Sequence, residues 1–245
     1  MSENEKLNAT DQAERDAASF KDRRSFLKLG GASLAALALS GAVKAEFAGD
    51  APPSSTVSRQ TQQTIELGSG DTGVLNFAYL LEQLEADFYT RVVANNFYSG
   101  ATAEEQQILT DLRDHETIHR QFFQARLGAS AIPTIQFDFT LIDFNSRDSV
   151  LTASQVFEDT GVSAYNGAGQ LLESAENLAI AGKIVSVEAR HAAAIRDLRI
   201  PKNGFFADSG TDFALDPLTV LTLARPFIPR TITVSAVNLP RTIVV

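Results

Sequence analysis

The stretch "DHETIHRQFF", residues 114–123, sets His119 three positions after Glu116, and "VEARH", residues 187–191, repeats that spacing with Glu188 and His191. Residues i and i+3 share one face of an α-helix, so each pair aims a carboxylate and an imidazole at one point. The chain of 245 residues holds only three histidines, and two of them stand in these pairs. Each pair reads as half of a metal site.

Outward from the pairs, the chain reads as helices. From Asp71 to about Asn96, the residues Leu75, Ala78, Tyr79, Glu82, Ala86 and Tyr89 recur at helical spacing and predict a first long helix. Thr102 and Glu105 form a capping box that opens a second helix, ending before Gly128. Residues 129–151 are aromatic without sustained helical periodicity and read as a crossover carrying extended segments. Thr152 and Gln155 offer a further capping box for a third helix through about Glu173, and a fourth runs until Pro201 stops it. Hairpin, long crossover, hairpin is an all-α four-helix bundle with one long connection between helices 2 and 3.

The two hairpins also repeat one another. Tyr89 stands two turns after Glu82, Tyr165 stands two turns after Glu158, and each such helix is followed by one bearing Glu-x-x-His. One Glu from each of two helices plus Glu-x-x-His from each of the others is the ligand set of di-iron and di-manganese carboxylate bundles. Four inward carboxylates repel one another and are costly to desolvate; two divalent cations balance them when both imidazoles are neutral. Glu85, one turn after Glu82, is a substitute or extra ligand, but Gly161 holds the equivalent place in the second hairpin, so repeat symmetry favours Glu82. His115, rotated about 100° from Glu116 around the helix, reads as a capping or surface residue. Gly167 and Gly169 read as small residues that permit close helix packing.

Composition narrows the chemistry. With no cysteine, disulfides, thiolate metal sites and thiol nucleophiles are excluded, and ligands must be oxygen and nitrogen, which suits Fe, Mn or Zn. A net charge of -9 argues against nucleic acid or anionic lipid as partner. Residues 22–28, "DRRSFLK", the uncharged run 29–43 and the small residues Val43 and Ala45 form an export signal of twin-arginine type over residues 1–45. That run is too short for a permanent membrane span. The expected location is the periplasm or cell envelope. Residues 46–70, rich in Pro, Ser, Thr and Gln, read as a linker arm without packed structure. The bundle then occupies residues 71–200 and a C-terminal extension 201–245, whose residues 231–245 alternate as a β-like tail.

The segments "LNFAYLLEQLEADFY", "DHETIHRQFF", "FEDTGVSAYNGA" and "SVEARHAAAIRDL" resemble the exported, desiccation-related type of ferritin-like protein, within the ferritin, bacterioferritin and rubrerythrin superfamily. The resemblance implies Glu82 and Glu158 as single-Glu ligands, Glu116 and Glu188 as bridging carboxylates and His119 and His191 as terminal imidazoles. It makes Tyr89 and Tyr165 hydrogen-bond partners of ligand carboxylates; as sequence alone they read equally as amphipathic core. Where bacterioferritin-like sites often carry an Asp before each such Glu, this chain has His115 and Val187.

These features point to an exported di-metal oxidoreductase that oxidises Fe(II) or detoxifies peroxide or O₂, with iron the first choice of metal. A manganese catalase-like site has an overlapping ligand set. From another class, a stress-associated structural or binding protein would use any metal only to brace the bundle. The terminal segments disfavour a storage cage and leave a homo-oligomer open.

Overall fold

The computed structural model describes residues 62–201, 206–207 and 209–240. The export signal, most of the arm and the last five residues lie outside them. The described chain is mostly helical: α1 (Gly70–Val93), a short α2 (Asn96–Gly100), α3 (Ala103–Leu127), α4 (Arg147–Gly169), α5 (Ala175–Arg199) and α6 (Pro217–Ala224). Two strands, β1 (Gln63–Glu66) and β2 (Ile232–Ser235), complete it. Helices α1 and α3 form one hairpin and α4 and α5 the other; the hairpins meet through α1 against α4 and α3 against α5. No described helix is long and apolar enough to cross a membrane.

Local chemistry explains the helix limits. The Thr102 hydroxyl accepts a hydrogen bond from the Glu105 backbone N–H at 3.2 Å, satisfying an orphan donor at the start of α3. Gly128 ends that helix at φ +54°, a conformation only glycine adopts without strain. Helix α4 begins five residues before the expected Thr152, because Ser146 caps it by accepting from Ser149 N–H and buried Val150 and Leu151 extend the core face backwards. Thr152 and Gln155 lie within the helix, where both accept hydrogen bonds from Arg199.

Helix α1 is central, buried almost all round. Its two interior amides serve the crossover: Asn76 accepts from Ile132 N–H at 3.0 Å and donates to Ser130, and Gln83 accepts from Ile135 N–H at 2.9 Å. These side chains take two backbone N–H groups of the crossover that a strand partner would otherwise bond, and the crossover contains no strand. Phe139 and Phe144 instead pack on Phe88, with ring centroids 6.0 and 5.8 Å away. At the opposite end, the Asp71 carboxylate accepts from Glu173 N–H, Ser174 N–H and the Asn177 amide, pinning the α4–α5 turn to α1.

Two expectations are corrected. The arm is not wholly unpacked, since β1 pairs with β2 in parallel register, Gln63 opposite Ile232 through Glu66 opposite Ser235, and Ile65 and Leu67 are buried. Gly167 makes room for the backbone of the C-terminal extension, not for a neighbouring helix: a Cβ there would lie 1.8 Å from the Leu215 carbonyl oxygen. Gly169 meets no such close neighbour.

Candidate metal centre

Each long helix delivers one carboxylate to the interior: Glu82 from α1, Glu116 from α3, Glu158 from α4 and Glu188 from α5, all at 0% exposure. His119 and His191 follow one turn after Glu116 and Glu188 and are also buried. The His119 Nδ1 lies 2.8 Å from Glu188 Oε1 and 3.4 Å from both Glu82 Oε2 and Glu116 Oε2. On the other side, His191 Nδ1 lies 2.9 Å from Glu116 Oε1, 3.4 Å from Glu188 Oε2 and 3.5 Å from Glu158 Oε2. The ligand atoms form two groups, each within 4.8 Å: Glu82, Glu116, His119 and Glu188, then Glu116, Glu158, Glu188 and His191. Glu116 and Glu188 belong to both groups, the position of carboxylates that bridge two ions.

Despite these short distances, Glu82 Oε2, Glu158 Oε2, both oxygens of Glu116 and of Glu188, and both Nδ1 atoms lack a hydrogen-bond partner. Each nitrogen faces several carboxylate oxygens at once, an arrangement that suits a shared cation better than a directed N–H···O bond. A buried polar atom without a partner costs about 1–3 kcal/mol, so eight of them converging is a large penalty that two divalent cations would remove. The donor set, carboxylate and imidazole only, fits such ions.

Protons can balance the same charges. Burial and the charge of Glu188 hold Glu116 well above the ordinary carboxylate range, and burial lifts Glu158 to about 7 against the pull of His191. Burial would lower His119, yet Glu116, Glu188 and Glu82 raise it to about 12; His191 is raised likewise, with Glu158 the leading cause against burial. Glu188 runs the other way, to about 2, because both imidazoles outweigh its burial. Metal-free, the cluster thus holds protons on imidazoles and on some carboxyls.

The tyrosines tie the halves crosswise. Tyr89 on α1 donates to Glu158 Oε1 on α4 at 2.5 Å, and Tyr165 on α4 donates to Glu82 Oε1 on α1. Each single-Glu carboxylate has one oxygen held by the opposite hairpin, leaving the other turned to the cluster.

His115 departs from expectation. Although exposed, it reaches across to α5, where its Nδ1 lies 2.9 Å from His191 Nε2 and the rings stack at 5.1 Å. A Cβ pointing off the ligand face still lets a long side chain contact the outer edge of a ligand on the next helix. The available signal was its place immediately before Glu116. Glu85 is buried yet outside both ligand groups; it turns toward α4, where a Cβ on Gly161 would sit 3.2 Å from Glu85 Oε1.

An antiparallel helical bundle with one long crossover and four interior carboxylates beside two imidazoles defines the carboxylate-bundle class of protein. The profile of the ferritin-like domain family matches residues 70–200, which include all four long helices, and the chain belongs to that family. No curated protein matches it.

Proposed function

We propose that this chain is an exported di-metal protein that binds two divalent ions, iron before manganese or zinc, and couples Fe(II) oxidation to the reduction of peroxide or O₂. Two Fe(II) ions supply one electron each, and one hydrogen peroxide takes those two electrons and two protons to give two waters. The observation that carries the reading is the set of eight buried ligand atoms that lack hydrogen bonds and fall into two overlapping groups. Glu116 and Glu188 would serve both ions, Glu82 with His119 would complete one position, and Glu158 with His191 would complete the other. Tyr89 and Tyr165 orient Glu158 and Glu82, and the surrounding apolar helices exclude water. The twin arginines at Arg23 and Arg24 support export of the folded, loaded protein.

Elemental analysis of protein purified without added metal, followed by Fe(II) or Mn(II) loading and turnover with O₂ or peroxide, tests the reading. The expected result is two ions per chain and turnover that disappears in Glu116→Ala and His191→Ala. Full binding without redox turnover would instead assign the metal a purely structural role.

A further inference from the structure

A small recess opens between α1, α4 and α6. Leu81 and Leu84 from α1, Val156, Phe157 and Thr160 from α4, and Leu223 and Ala224 from α6 form its walls, apolar except for Thr160. Its volume is about 20 Å³, above the roughly 10–15 Å³ that a single water needs. The Glu85 carboxyl also lines it, 4% exposed and with no hydrogen bond to any described residue. Glu85 lies one turn beyond Glu82, and Gly161, which makes the space for it, lies one turn beyond Glu158. The carboxyl is therefore set beside the cluster, close enough for Glu116, Glu158, Glu188 and Glu82 to act on it electrostatically. The α6 wall belongs to the C-terminal extension, so the four-helix bundle alone would not complete the recess.

A nearly buried carboxyl that faces only the recess takes its hydrogen bond from whatever occupies that space. A hydrated cation is too large and would find hydrocarbon on nearly every side. An anion would meet a cluster of carboxylates in a chain of net charge -9. O₂ fits the walls but leaves Glu85 unsatisfied. A similar recess lined by Val74, Phe77, Phe123 and Leu172 contains no free polar group, because its Tyr165 hydroxyl is already bonded to Glu82. Water meets these conditions at the first recess, and so does an uncharged two-oxygen molecule with hydrogen-bonding ends, which can displace it.

We propose that the recess is a binding and access site for hydrogen peroxide, with Glu85 as the hydrogen-bond partner that holds it one helical turn from the carboxylate cluster. This rests on the peroxide-reducing reading above and names where that substrate enters.

Two measurements on the full chain test it. In crystals of the metal-free protein, an ordered water should sit within hydrogen-bond reach of Glu85, give way to elongated two-oxygen density on soaking with hydrogen peroxide, and be missing in Glu85→Leu. A dry recess, or one that admits no peroxide, overturns the proposal, and this readout needs neither metal nor turnover. In stopped-flow oxidation of the Fe(II)-loaded protein, Glu85→Leu should slow the peroxide reaction about tenfold, and Glu85→Gln, which keeps a hydrogen-bonding head, should stay within about twofold. Val156→Phe at the half-buried mouth should slow it too, and Ala181→Leu in the second recess should not. Metal stoichiometry and the O₂ rate should remain unchanged throughout. Equal peroxide rates in Glu85→Leu and wild type, or slowed metal uptake in place of slowed oxidation, would overturn the assignment. If the wild type itself fails to oxidise iron with peroxide, the redox function falls, and the crystals still decide whether peroxide binds.

Discussion

The two hairpins present matched ligands in unmatched surroundings. His191 of the second hairpin is backed by His115, whereas among the described residues no hydrogen-bond partner stands behind His119, and Val187 occupies the position that repeats His115. Similarly Glu85 of the first hairpin faces Gly161 of the second, where its own repeat counterpart would have been a second acid. Ligands repeat because holding two cations requires the same donors on both sides. The groups behind them differ, so the two ion positions are unequal: one imidazole is fixed in orientation, the other is held only from the front.

The severest disruption of the pair is loss of a shared carboxylate. Glu116→Leu should abolish binding at both positions, weakening metal affinity by well over about 100-fold, while Glu158→Leu should spare the His119 position. Titration calorimetry would separate the two cases.

Protonation gives the next largest effect. Raised acids and raised imidazoles both mean that the folded metal-free state binds protons more tightly than the unfolded chain. Glu158 contributes full stability below its ordinary value near 4.5 and loses it as pH rises through about 7, a change of about 3 kcal/mol. His119 contributes full stability below about 6.5 and loses it towards 12. Glu188 opposes them only in acid, losing its contribution as pH falls from 4.5 towards 2. Metal-free protein should therefore melt highest near pH 5 and lower at pH 8 by calorimetry. Metal loading should reverse the trend above pH 5 and release protons, since ligands must shed them.

Smaller still is the anchoring of one imidazole. His115→Ala should weaken binding at the His191 position by about tenfold and leave the His119 position unchanged, equalising the two in a calorimetric titration. Val187→Asp, offering His119 a partner, should strengthen the weaker position if the repeat is structurally exact at that residue. Least of all, Tyr89→Phe and Tyr165→Phe should each cost about 1 kcal/mol and by similar amounts, because the cross-ties are equivalent. Unequal losses in thermal melts would show asymmetry reaching past the imidazoles.

What the sequence discloses follows from the range of the forces involved. Helices and the six ligands are legible because i, i+3 spacing is local, and a repeated Glu-x-x-His leaves few other uses for its polar face. The start of α4 is misread because Ser146 and Thr152 each offer a capping hydroxyl, and only burial of Val150 and Leu151 decides between them. The β1–β2 pair joins four-residue strands from opposite ends of the bundle sequence, and so short a strand exists only through its distant partner. His115 is missed for a related reason: its contact is with α5, and helical rotation alone points it outward.

The parallel sense of that small β1–β2 pair carries a mechanical consequence. The chain enters β1 and leaves β2 at opposite ends of the ladder, so tension on the flanking segments loads its hydrogen bonds together in shear instead of peeling them one by one. A tug on either flanking segment is thereby resisted before it reaches the helices.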